Sequence, residues 1–127
     1  MDQSEWGRLA REGDIEGAIV SYVEENDWVT FPELCRQLEQ FLETRGTHAV
    51  AMREPTLILW LGMSERLADA FDTVLRAGRV YPHSASLLTY LVDGGILHLP
   101  LAKRIPRNGY KTEHWLPVCL RTVPIEL

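Results

Sequence analysis

The sequence predicts an α+β fold, with a helical N-terminal half and a C-terminal half closed by strands. Three observations carry this. Apolar residues recur at helical spacing through residues 15–23, 34–42, 67–75 and 87–92. The run TLILWLGM at 56–63 is continuously apolar, far too short for a membrane span and of the length of a strand buried on both faces. Beyond Gly94-Gly95 the helical period stops, and two extended apolar stretches flank a polar, basic segment.

Taken along the chain, residues 4–12 form a short helix that packs Trp6 and Leu9 and ends at Gly13. Asp14 caps a helix over 15–26, with Ile15, Ile19, Tyr22 and Val23 on one face and Asn26-Asp27 as its stop. Trp28 to Phe31 is a short extended link. Thr30, with Glu33 three residues on and Pro32 in the first turn, opens a helix over 30–44. Its stripe is Leu34, Leu38, Phe41 and Leu42, and Gly46 is placed to end it in a left-handed conformation. Strands follow at 47–52 and 56–61, joined across Arg53-Glu54-Pro55; whether they pair as a hairpin or join later strands is left open.

Ser64 caps a helix whose stripe is Leu67, Phe71, Val74 and Leu75 and whose stop is Gly78. Val80 to His83 is extended around Pro82. Ser84 caps a short helix over 85–92 that buries Leu87, Leu88, Leu91 and Val92 and breaks at Gly94-Gly95. Ile96 to Leu101 is a strand, 102–112 a polar basic loop, and His114 to Val123 a last strand, which Pro117 confines to a sheet edge.

A chain of 127 residues, 46% hydrophobic and 24% charged, can bury a core and is expected to form one domain over 1–127 rather than a disordered segment. The N-terminal stretch MDQSEWGRLAREGD carries no apolar h-region and is not Arg-rich and acid-poor, so neither a secretory signal nor a transit peptide is expected. A cytoplasmic location and no membrane partner follow as expectations. Cys35 and Cys119 lie far apart with no CxxC pair, and both are expected to act as small buried hydrophobes.

The net charge of −5 is unevenly spread. Residues 1–54 carry 12 acids against 5 bases, whereas residues 100–127 carry 5 bases against 2 acids. The acidic total argues against strong non-specific attraction to polyanions, yet the C-terminal end supplies a local basic footprint.

From residue 64 onward the order helix, turn, short helix, strand, basic loop, strand, completed by an earlier helix at 15–26 or 30–44, resembles the winged-helix branch of helix-turn-helix domains. The resemblance covers about half the chain and rests on element order alone. It implies a two-stranded β-wing, a recognition helix at 85–92 and a transcription-regulatory or other nucleic-acid-binding role, with double-stranded DNA as the partner. Carried onto these residues, Lys103, Arg104, Arg107 and Lys111 surround the turn dipeptide Asn108-Gly109 and contact phosphates, while Ser86, Thr89 and Tyr90 face the groove. The helix departs from the pattern: it holds no Arg, Lys, Asn or Gln for bidentate base contacts, and the connection from Gly78 to Ser84 is long. The alternative is a protein–protein interaction module or homodimer of the same architecture that binds no nucleic acid. Exposed tryptophan, Trp115 on its edge strand among the candidates, would serve that role.

Chemistry-bearing patterns are sparse. His48, His83, His98 and His114 show no HxxxH, HExxH or Cys/His spacing, so no metal and no cofactor is expected. Ser84 and Ser86 follow His83 without a GxSxG elbow and read as helix-start residues. A non-enzymatic protein is the expectation.

Overall fold

The computed structural model describes residues 4–52 and 54–126. Arg53, part of the expected 53–55 connection, and residues 1–3 and 127 of the expected 1–127 domain lie outside the described residues. Among the described residues the fold is α+β, with three helices first and the two small sheets built from later segments.

The helices are α1 (Glu5–Arg11), α2 (Ile15–Asn26), α3 (Phe31–Leu38), α4 (Glu65–Arg76) and α5 (Leu87–Val92). Each starts on the hydroxyl or carboxylate of a capping residue: Ser4, Asp14, Thr30, Ser64 and Ser86 each accept a hydrogen bond from a backbone N–H three residues on. Left-handed Gly78 and Gly94, at φ 67° and 83°, lie just beyond the ends of α4 and α5, as expected of helix stops.

The strands are β1 (Arg45–Ala51), β2 (Leu57–Met63), β3 (Tyr81–Ser84), β4 (His114–Trp115) and β5 (Val118–Arg121). β1 and β2 pair antiparallel as a hairpin and β4, from the expected last strand, joins β2 in parallel in the same sheet, so both arrangements left open for 47–61 are met, in the order β1-β2-β4. β3 and β5 form a separate antiparallel pair, extended on the far side of β5 by a bridge from Val29 to Leu120. Ala18, Ile19, Phe31, Leu34, Leu38, Leu59, Leu67, Phe71 and Val74 are wholly removed from solvent or nearly so and fill the space between α2, α3, α4 and β2.

Four expectations are corrected. The helix expected over 30–44 ends at Leu38, and Gly46 lies within β1, not in a left-handed stop. There the Gly46 backbone approaches the Met63 carbonyl and Ser64 so closely that a Cβ would meet them at 2.6 and 2.9 Å, which is the physical reason for glycine. The cap of α5 is Ser86, two residues after the expected Ser84, because residues 81–84 are taken up in pairing with β5.

Ile96 to Leu101 is not a strand, and no wing hairpin joins it to 114–123; Leu101 makes a single parallel bridge to Trp115. The last strand is split by Leu116-Pro117 into β4 and β5, which serve different sheets. Pro117 has no N–H to donate, and its carbonyl accepts from Ala85 N–H at 3.1 Å, so the chain changes partner where the ladder cannot continue. The two-stranded wing of the expected form is therefore absent among the described residues.

The fourth correction is α5. Leu87, Leu88, Leu91 and Val92, expected in the core, are 36%, 66%, 50% and 79% exposed, while Tyr90 is fully buried. A helix of six residues covers the protein with one narrow face. Tyr90 takes that face, its hydroxyl donating to the Val118 carbonyl and its ring lying 5.1 Å from Trp115 and 5.5 Å from Trp60. At 3.6 residues per turn the four aliphatic residues then share an arc of roughly 140° on the outside.

Candidate nucleic-acid interface

The segment between Leu101 and β4 leaves and returns at one point. Trp115 N–H donates to the Pro100 carbonyl, and Ala102 N–H donates to the Trp115 carbonyl, both at 2.8 Å. Trp115 is itself fixed, wholly buried with its indole N–H on the Leu59 carbonyl at 3.2 Å. Its expected outward orientation is thus reversed. The loop ends are closed on a rigid base, and the intervening residues fold over it as a compact surface loop.

Within the loop, Gly109 N–H donates to the Pro106 carbonyl at 3.0 Å, so Arg107 and Asn108 form the tip of a turn. Gly109 holds φ 75°, and the Glu54 carboxylate from the β1–β2 connection lies against it too closely to admit a Cβ. Tyr110 donates its hydroxyl proton to the Arg104 carbonyl. Its ring stacks on His114 with centroids 3.6 Å apart and planes 12° from parallel. His114 Nδ1 is 2.9 Å from the Thr112 carbonyl, an acceptor, so Nδ1 carries the proton.

Lys103, Arg104, Arg107 and Lys111 are all exposed on this loop, and among the described residues none of them is in an ion pair. Elsewhere Arg8, Arg66, Arg76 and Arg121 are paired with carboxylates, and Arg36 donates to the Asp93 carbonyl. Arg11, Arg45 and Arg79 are also exposed and in no ion pair among the described residues, but they sit singly on other segments, so it is the clustering that marks the loop. The four loop cations thus keep their full hydrogen-bonding capacity for an anion, with Glu54 and Glu113 as the acids nearest in space or sequence.

The helix positions assigned to the groove fare differently. Ser86 Oγ accepts from Thr89 N–H at 3.3 Å and lies 3.2 Å from Thr89 Oγ1, so the two satisfy each other at the start of α5. Tyr90 has no exposed surface to offer a groove. Burial among aromatic rings and the Val118 bond explains why, and no hydrogen bond or ring contact among the described residues joins these three to the basic loop.

What the sequence reading missed is the Tyr110–His114 stack. Tyr110 was visible beside the basic residues, but loop segments have no periodicity from which a ring pair four residues apart can be read. The remaining histidines are dispersed: His48 lies on exposed β1, His83 Nε2 is 2.6 Å from the Val123 carbonyl, and His98 is exposed. No group of three or more His, Cys, Asp or Glu side chains suited to a metal ion occurs among the described residues. Burial pushes the thiol of Cys35 up to about 12 and that of Cys119 up to about 11, leaving both protonated near neutrality. No described helix is long and apolar enough to cross a membrane.

Comparison of the chain with protein-family models, with curated proteins and with solved structures finds no match, so the reading of this interface rests on its own geometry.

Proposed function

We propose that the protein is a non-enzymatic nucleic-acid-binding module whose loop at 102–113 neutralises backbone phosphates. The observation that carries the reading is the set of four exposed cations, Lys103, Arg104, Arg107 and Lys111, gathered on one loop with closed ends and in no ion pair among the described residues. Such a surface favours phosphate contact over base readout, since α5 carries no Arg, Lys, Asn or Gln for bidentate base contacts. The proposal needs no winged-helix geometry.

Fluorescence anisotropy with labelled mixed-sequence DNA, titrated at several salt concentrations, tests it. Affinity is expected to fall steeply with salt, and Arg104→Ala with Arg107→Ala is expected to lower the log–log salt slope by up to about two units. An unchanged slope in that double variant rejects the assignment.

A second reading, a protein-interaction module, is favoured by α5. Its exposed leucines and valine, with Ile96 42% exposed just beyond, make an apolar surface of the kind that marks protein contact sites. Two such short helices laid together cover less than the roughly 800 Å² per partner of a stable dimer. A partner whose apolar groove encloses the helix fits that surface better than a second copy.

A further inference from the structure

We infer that the nucleic acid taken by the 102–113 loop is single-stranded, with an unpaired base stacking on the Tyr110–His114 ring pair while the loop cations hold the flanking phosphates. The inference rests on the phosphate-binding reading above and adds the class of ligand to it. In a duplex the faces of the bases are covered by their neighbours, so a protein ring has no base face to meet; an unpaired base offers one. Proteins that hold single strands combine a cationic track with aromatic rings on which bases stack, and both parts are present here within residues 103–114.

The ring pair is preformed. Tyr110 is anchored through its hydroxyl to the Arg104 carbonyl, and His114 through Nδ1 to the Thr112 carbonyl and through its backbone to β2, where its N–H donates to the Thr56 carbonyl at 2.8 Å. Neither ring is buried: both are partly exposed. A base stacked on the exposed part of either residue extends a pair already held by its own hydrogen bonds. The same anchoring places cations on both sides of the rings in sequence. Arg104 carries the carbonyl that holds Tyr110, and Lys111 follows Tyr110 directly.

The test uses the intact chain and fluorescein-labelled probes of about fifteen nucleotides, a length within the usual range for one such site. The probes are oligothymidylate, oligouridylate, oligodeoxyuridylate and a mixed-sequence DNA duplex. Tighter binding of any single strand than of the duplex supports the inference, and comparison of oligouridylate with oligodeoxyuridylate, which differ in the sugar alone, separates a DNA ligand from an RNA one. Tyr110→Ala is expected to weaken single-strand binding about tenfold, the loss of one stacked base. Tyr110→Phe, which keeps the ring, is expected to retain most of the affinity and guards against a loop that merely loosens. In the NMR spectrum, the His114 ring protons shift on addition of oligothymidylate.

Equal or tighter duplex binding that is lost in Arg104→Ala/Arg107→Ala overturns the single-strand inference and leaves the phosphate-binding reading standing. Single-strand binding indifferent to Tyr110→Ala does the same. Absence of binding to all four probes at low salt overturns both.

Discussion

Asp27 and Trp28 hold φ 55° and 48°, a conformation that side chains of their kind rarely adopt. A closed set of bonds keeps them there. Asp27 N–H donates to the Val23 carbonyl at 2.8 Å, and the Asp27 carboxylate accepts Arg121 Nε and Nη2, each at 2.9 Å. The Arg121 guanidinium also lies 4.0 Å over the Trp28 ring, and Val29 exchanges two backbone hydrogen bonds with Leu120. The Arg121 hydrogen bonds hold the Asp27 carboxyl below the usual carboxylate value, with desolvation acting in the opposite sense. A depressed folded-state value contributes stability above the unfolded carboxylate pKa of about 3.9, and that stability is lost as pH falls through the folded value. Arg121→Ala is therefore expected to lower the urea midpoint near neutral pH by a small amount, because the Asp27 side chain is 41% exposed and its ion pair is screened by water, and the gap is expected to narrow on acidification. A gap that stays constant from neutral to acid pH refutes the linkage. In the sequence, Asn26-Asp27 was legible as a helix stop, but no local pattern connects Asp27 to a partner 94 positions away.

At the scale of elements, the boundaries governed by caps and glycines were legible and the burial of short segments was not. Asp14, Thr30 and Ser64 start helices as their residue types predict, whereas the apolar run at 56–63, expected to be buried on both faces, is buried at Leu57, Ile58, Leu59 and Met63 but only half-buried at Trp60 and Leu61. α5 shows where periodicity runs out. The sequence Leu-Leu-Thr-Tyr-Leu-Val offers more apolar side chains than one face of a short helix can bury, so pattern alone does not say which face turns inward. The large ring of Tyr90, with a carbonyl in reach of its hydroxyl, decided it. The same limit hid the wing: the apolar residues of 96–101 have the composition of a strand, but only Leu101 bridges to Trp115, in parallel, while the His114 and Leu116 N–H groups on the other edge of the segment bond to the β2 side. Leu88→Glu is accordingly expected to change unfolding free energy by no more than about 0.5 kcal/mol, as for a surface site. Tyr90→Phe, which leaves the buried Val118 carbonyl without its donor, is expected to cost about 1–2 kcal/mol. Urea unfolding of the two variants checks the orientation of the helix; a larger loss from Leu88→Glu than from Tyr90→Phe places the leucine face in the core after all.

Over the whole molecule, charge sets the conditions under which the loop can work. The chain carries −5 overall, with the excess of acids in residues 1–54, so an approaching polyanion is repelled by the body and attracted by the loop. The two effects differ in range. Repulsion from the body acts across a distance that salt screens, about 10 Å at 0.1 M, whereas phosphate contact at the loop works through counterion release at the point of touch. Four cations on a single strand give a log–log salt slope of at most about −3, and residual repulsion at low salt flattens it further. Glu24 and Glu25 lie exposed on the last turns of α2, and neither is in a hydrogen bond or ion pair among the described residues, so Glu24→Gln with Glu25→Gln removes two units of repulsion without disturbing a contact. That double variant is expected to associate faster with oligothymidylate at low salt and to match the parent at high salt, with the dissociation rate unchanged throughout. Stopped-flow anisotropy across a salt series reads the two rates separately. A gain that persists at high salt, or one that appears in the dissociation rate, means that α2 touches the nucleic acid and that the interface extends beyond the loop onto the helical face.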